Sequence, residues 1–122
     1  MSLHSDTDLY RAIAEFQKFV ARRCVHLPRG VKGLFGERLV DESLNMMVNM
    51  RHANIARGAD KVPQLEELLD RLEIAQAILR VLRELGHLPN TAFAEGLPLV
   101  ASIGKQATAL RTYFAPDPSP AA

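Results

Sequence analysis

Apolar residues recur at helical spacing in four separate segments of the chain. The first segment carries a stripe at steps of three and four residues, formed by Leu9, Ile13, Phe16, Val20, Cys24 and Leu27. Such spacing predicts one apolar face of a helix. The side-chain oxygens of residues 5–8 predict the N-terminal cap of this helix, because they can accept hydrogen bonds from its first free amides. Pro28 predicts its end, since proline disfavours helical geometry in the preceding residue.

The second segment has more apolar positions than one buried face requires. Pro28 and the glycines at positions 30, 33 and 36 predict a turn before it, and Gly58 predicts its end near Arg57. One stripe is formed by Phe35, Leu39, Met46, Met50 and Ala53, and a second by Val40, Leu44 and Met47. A single stripe is enough for a bundle core, so the second predicts another buried contact.

The third segment is the most regular, with Pro63 in its first turn and Gly86 at its C-terminal cap. Its main stripe is formed by Leu65, Leu68, Leu72, Ala75, Leu79 and Leu82, and a second strip by Ile74, Ile78, Val81 and Leu85. In the fourth segment, Asn90 is the expected cap and Pro98 predicts a kink or a reset of the helix. The stripe then continues through Val100, Ile103, Ala107, Leu110 and Phe114.

These patterns predict an all-α, up-and-down four-helix bundle at residues 7–114. Residues 1–6 are expected to form an N-terminal extension, and the proline-rich residues 115–122 a disordered tail. The second apolar strips need cover, which predicts a homo-oligomer. The expected subunit interface consists of Val40, Leu44, Met47, Ile74, Ile78 and Val81.

The chain has 122 residues, of which 48% are hydrophobic and 24% are charged, a composition typical of a globular protein. We expect it to be cytoplasmic. The lone Cys24 cannot form an internal disulfide. No apolar run approaches the ~20 residues that a membrane span needs, and the first residues lack the features of a signal peptide. We therefore expect no membrane partner.

No catalytic or metal-binding constellation emerges from the sequence. The Glu84-x-x-His87 spacing occurs in di-metal bundles, but such sites need two copies of it and two further carboxylates. Cys24 completes an apolar stripe and is expected to pack as a small hydrophobe. We predict that the protein is not an enzyme and that it binds no cofactor or metal.

Basic residues are concentrated in the first half of the chain, although the net charge is only +1. Five of them lie within residues 22–38, opposed there by Glu37: Arg22, Arg23, Arg29, Lys32 and Arg38. This cluster is suited to nucleic-acid phosphates. The alternative is a solvated helix end, where cations also favour the C-terminal dipole. The residues alone leave both interpretations open and slightly favour the second.

Residues 27–39, Leu-Pro-Arg-Gly-Val-Lys-Gly-Leu-Phe-Gly-Glu-Arg-Leu, resemble the Phe-Pro-Lys…Arg…Leu-Gly-x-Arg-Ile segment of a bacterial four-helix-bundle family. That family comprises the accessory variability determinant (Avd) proteins of diversity-generating retroelements and the ribosomal-RNA intervening-sequence proteins. Pro28, Gly36 and Arg38 match outright. Residues 72–90 are similar to the family's third helix with its closing Glu-Leu-Gly turn, and the likeness covers residues 7–114.

The resemblance implies a non-enzymatic, ring-like homopentamer that binds RNA or DNA and associates with a reverse transcriptase. By position, it assigns the nucleic-acid-facing patch to Arg29, Lys32 and Arg38, with Arg22 and Arg23 beside them. The alternative function is an oligomeric scaffold that binds another protein through its apolar strips and binds no nucleic acid.

Overall fold

The computed structural model describes the backbone of residues 4–116 and the side chains of residues 8–116. Within that range the chain is helical and forms no strand. Its α-helices are α1 (His4–Cys24), α2 (Arg29–Val31), α3 (Glu37–Ile55), α4 (Val62–Glu84) and α5 (Asn90–Phe114). A π-helical segment, Lys32–Gly36, joins α2 to α3 without a break, so residues 29–55 form one helical run.

The four long helices α1, α3, α4 and α5 pack as a bundle, which confirms the predicted helical fold. Each helix packs against its neighbours in the chain, and α5 closes the bundle against α1. The connections are short, so neighbouring helices run antiparallel. As a result, α1 and α4 lie across the bundle from each other.

The core consists mainly of the stripes that the spacing predicts. All six residues of the first stripe, from Leu9 to Leu27, are buried. Fully or almost fully buried large side chains come from each long helix: Phe16 and Phe19, Leu39 and Met46, Leu65 and Leu68, and Ile103. Phe35 and Phe114, which begin and end predicted stripes, are half-buried at the edge of this core.

The start of α1 lies earlier than the sequence predicts. The helix begins at His4, so residues 5–8 belong to its first turns and the predicted cap is wrong. Acidic residues are also favourable there, because they interact with the positive end of the helix dipole. Residues 1–3 of the expected extension and residues 117–122 of the expected tail lie outside the described residues.

The glycine-rich segment after Pro28 is helical, so the turn predicted for it is wrong. Gly36 is buried where the end of α1 packs against the second helical run. A Cβ atom at this position would lie 3.1 Å from Cδ1 of Leu27, and the Cys24 thiol lies 3.7 Å from the Gly36 carbonyl oxygen, to which it donates. Gly36 therefore permits a close contact between two helices. A sequence alone does not distinguish such a glycine from one that permits a turn.

The end of α4 confirms the glycine cap predicted at Gly86, whose φ is +80°. The amides of Gly86 and His87 donate to the carbonyl oxygens of Arg83 (3.0 Å) and Leu82 (2.8 Å). This is the Schellman arrangement, in which a left-handed residue lets late amides satisfy the last free carbonyls of a helix.

Helix α5 begins at Asn90, but its N-cap is Pro89 and no side chain caps it, so the cap predicted at Asn90 is wrong. The helix continues through Pro98 to Phe114. The reset predicted at Pro98 is therefore wrong. Proline removes one backbone donor and disfavours a helix interior, but α5 packs along α1 and α4, and this packing outweighs the local preference. None of the helices between residues 4 and 116 has the length and apolar character needed to cross a bilayer.

Candidate nucleic-acid interface

The fold brings the five predicted basic residues to one end of the bundle, where α1 ends and the second helical run begins. Arg22 and Arg23 lie in the last turn of α1. Arg29 begins α2, Lys32 begins the π-helical segment, and Arg38 lies in the first turn of α3. We call this surface the basic end. Its members differ in how far their charges are already compensated.

Arg22 and Arg23 share one carboxylate, that of Glu95 on α5. Their guanidinium nitrogens lie 4.0 Å and 3.0 Å from its two oxygens. All three side chains are at least one-third exposed, so these ion pairs are weak and screened by salt. Arg23 also lies 6.0 Å from the ring centroid of Phe19. The group of three retains one net positive charge.

Arg38 is directed toward a carboxylate that the sequence analysis did not identify. Its Nε atom donates to Glu42 at 3.2 Å. Glu42 is only 3% exposed, and its second cation is Arg71 of α4, at 3.5 Å. Arg38 therefore compensates a buried charge, which reduces the positive charge that it offers to phosphate, although its own side chain is 57% exposed.

Arg29 and Lys32 carry the uncompensated charge of the basic end. Arg29 is exposed and forms no ion pair with any of residues 8–116. Lys32 is exposed, and its ammonium group has one distant contact, 3.5 Å to the carbonyl oxygen of Val25. No side chain caps the helix start at Arg29, so amides of the first turn are open to an anion. Cβ atoms added at Gly30 and Gly33 would meet no atom within 4 Å.

A chain of polar side chains joins α3 to α4, and we call it the polar seam. Asn49, only 4% exposed, donates to Gln64 and Glu67 at 3.0 Å each and accepts from Arg71 at 3.2 Å. Arg71 also pairs with Glu67 at 2.9 Å, as helical spacing allows. The seam has six members: Arg38, Glu42, Asn49, Gln64, Glu67 and Arg71. It cross-links two helices.

The residues predicted for a subunit interface are unequally available. Leu44 is 51% exposed. Val40, Met47, Ile74 and Val81 are half-buried. Ile78 is 8% exposed and belongs to the core, so it has little surface to offer a second copy. Val48, one helical turn beyond Leu44, is 46% exposed and extends the α3 strip instead.

The described part of the chain offers little reactive chemistry. Within it, no group of three or more His, Cys, Asp or Glu side chains is placed to hold a metal ion. Cys24 is a buried free thiol. Burial raises its pKa above the usual value, and the nearby Lys32 charge lowers it by a smaller amount. A thiol kept protonated in this way is a poor nucleophile.

Comparison of the chain with protein-family models, curated proteins and solved structures finds no match. The resemblance to the Avd family therefore rests on the segments at residues 27–39 and 72–90. The placement of the five cations at the basic end is therefore the structural basis for inferring a function.

Proposed function

We propose that the chain is a non-enzymatic, homo-oligomeric accessory protein of the Avd type that binds the phosphate backbone of RNA or DNA through its basic end. The observation that carries the proposal is the placement of Arg29 and Lys32. Both are exposed at the start of an uncapped helical run, and neither has an acidic partner among the described residues. Arg22 and Arg23 add one net charge beside them.

The expected assembly is a cytoplasmic homopentamer that presents several basic ends together, with a reverse transcriptase as a further partner. Repetition matters because a single basic end makes few phosphate contacts. Each phosphate contact releases counterions and adds to the salt dependence of binding. A symmetric assembly would multiply the contacts to a single nucleic-acid strand and raise its affinity through avidity.

Fluorescence anisotropy of labelled RNA and DNA oligomers, titrated with protein across a salt series, tests the proposal. The wild-type chain should bind most tightly at low salt, and the variant Arg29→Ala/Lys32→Ala should lose about two units of the salt slope. Arg51→Ala/Arg57→Ala is the matched control, since both arginines are exposed and lie toward the opposite end of α3. It should bind as the wild type does.

The shared carboxylate provides a variant that should gain affinity. Glu95→Gln removes the charge that Arg22 and Arg23 now share at 4.0 Å and 3.0 Å, so both guanidinium groups become available to phosphate. Tighter binding with a steeper salt slope is the expected result. Absence of wild-type binding even at low salt would rule out the proposed function, because the phosphate term is strongest there.

A protein-binding scaffold is the second candidate, and a groove between α1 and α3 favours it. Small and apolar side chains line this groove, among them Ala14, Ala21, Val40 and Leu44. Such a surface is suited to an apolar face of a partner helix. Stoichiometric capture of one protein from native lysate, lost in Leu44→Ser and retained in Arg29→Ala/Lys32→Ala, would support the scaffold over the nucleic-acid role.

A further inference from the structure

A groove with a volume of about 1080 Å³ lies between α1 and α5. Its apolar lining includes Ala12, Leu99 and Ala109. The residues that α5 contributes include positions 99, 102, 106, 109 and 113, which alternate steps of three and four. That spacing marks one face of α5, so the groove runs along this helix and can accommodate a partner helix laid beside it.

Two uncompensated cations, Arg11 of α1 and Lys105 of α5, line this groove. The contact of Arg23 with Glu95 sets the antiparallel register of the two helices. Arg11 lies about 18 Å from Arg23 along α1, and Lys105 about 15 Å from Glu95 along α5. The two cations are thus nearly opposite each other across the groove, and neither pairs with any of residues 8–116.

The acidic residues of the groove do not neutralise these cations. Glu15 pairs with Lys18 at 3.2 Å. Asp8 is already engaged in an interaction within the chain. The groove lining therefore carries two carboxylates and two cations, of which Arg11 and Lys105 have no ion-pair partner among residues 8–116. A helix with an acidic face could pair with these two cations.

The same chain carries such a face on α4. Glu66, Asp70 and Glu73 are exposed and follow one another at steps of four and three residues. None of them pairs with a cation among the described residues. Like charges at this helical spacing repel one another, so an unpartnered ridge is less stable than one that meets cations. Ala77, also exposed, continues the ridge with a small side chain.

We propose that the ridge Glu66–Asp70–Glu73 of one copy of the chain docks in the α1/α5 groove of a second copy, with its carboxylates meeting Arg11 and Lys105. Ridge and groove lie on different faces of one bundle, because α4 is across the bundle from α1. The contact is therefore head-to-tail, and repetition produces a closed ring or an open chain of subunits. The inference rests on the self-assembly part of the proposed function and names its surfaces.

Two charge-reversed variants test this pairing through their masses, measured by sedimentation velocity and by light scattering behind a sizing column. The groove variant is Arg11→Glu/Lys105→Glu, and the ridge variant is Glu66→Lys/Asp70→Lys/Glu73→Lys. Each variant alone has groove and ridge of the same charge, so self-association should weaken by at least about tenfold. Circular dichroism and thermal melting confirm that both variants fold.

Mixing the two variants should restore association as complexes that contain both variants, in open chains or even-numbered rings, because the two variants must alternate and cannot close a five-membered ring. The reversed groove of one then meets the reversed ridge of the other, and the two unchanged surfaces meet in the next contact. Rising salt should weaken both the wild-type and the mixed assemblies, since exposed ion pairs are screened. Glu37→Lys/Asp41→Lys on α3 is the matched control and should retain the wild-type mass.

A mixture that stays dissociated would overturn the inference, as would a wild-type chain that is monomeric across the concentration range. The inference also fails if Leu44→Ser abolishes assembly while the groove and ridge variants retain the wild-type mass. In that last case nucleic-acid binding by the basic end would be unaffected, so failure of this contact and failure of the proposed function are distinguishable.

Discussion

Replacing Gly96 with alanine should destabilise the bundle, although alanine is the better helix former. Gly96 is a buried residue of α5. A Cβ atom at this position would lie 2.7 Å from Cζ and 2.8 Å from Cε2 of Phe19. Carbon atoms in contact are normally about 3.5–4.0 Å apart. The added methyl group would therefore overlap the phenyl ring by roughly 1 Å.

The phenyl ring of Phe19 has little freedom to withdraw. It is fully buried, and its centroid lies 6.3 Å from that of Phe16. Overpacking a core costs about 1–3 kcal/mol, whereas replacing glycine with alanine inside a helix gains about 1 kcal/mol. The overlap is large enough for the first effect to win, so we expect a net loss of up to about 2 kcal/mol in the free energy of unfolding.

Gly104→Ala is the matched control in the same helix. There the added Cβ would lie 3.5 Å from Cδ2 of Leu72, which is an ordinary contact. This variant should be more stable than the wild type by up to about 1 kcal/mol. Urea unfolding followed by circular dichroism measures both changes. A Gly96→Ala variant at least as stable as Gly104→Ala would show that Phe19 does not resist the added methyl group, as would a failure of Phe19→Leu to recover part of the loss.

The polar seam, a helix cap and the buried thiol provide three further predictions. Asn49→Ala should lower the free energy of unfolding in urea by about 1–3 kcal/mol, because the buried Asn49 side chain makes three hydrogen bonds that the variant lacks. An unchanged midpoint would contradict this. Gly86→Ala should lower the free energy of unfolding by about 1–2 kcal/mol in thermal melts, since the φ of Gly86 is +80°. Gly33→Ala, with open space around the added methyl group, should not lower it. Burial raises the pKa of Cys24 above its usual 9.0. The protonated thiol therefore contributes its full stability below pH 9.0, and this contribution is lost as pH rises through the pKa of the folded state. Relative to Cys24→Ala, the wild type should therefore lose stability above about pH 9, and a gain there would count against the assignment.

Periodicity predicted the helices because burial within a helix depends on neighbours three and four residues away. It could not predict every compensated charge, because some of the ion pairs join residues that are distant in the chain. Arg23 and Glu95 are separated by 72 positions. Glu42 resembles a surface charge in the sequence, and its burial becomes intelligible only when α4 brings Arg71 to it. The sequence pattern therefore predicted the cluster of basic residues, but it did not predict that carboxylates neutralise part of the positive charge of this cluster.

The glycines show a second limit of sequence-based reasoning. Gly86 stands where a helix needs a left-handed residue, and the sequence predicted this role. Gly36 and Gly96 lie inside helices because another side chain approaches the backbone, Leu27 in one case and Phe19 in the other. Only the packed structure distinguishes a glycine that permits a turn from a glycine that permits a close contact.

The electrostatic potential of the basic end is determined by its charged side chains rather than by helix dipoles. At this end α1 and α4 terminate while α5 and the helical run 29–55 begin, so negative and positive dipole ends lie side by side and largely cancel. Glu95 and Glu42 reduce the charge of their arginine partners, which leaves Arg29 and Lys32 as the main source of positive potential. Two such cations per subunit bind phosphate weakly. We therefore expect tight nucleic-acid binding to require an assembly in which several pairs meet one strand, which couples the proposed function to self-association.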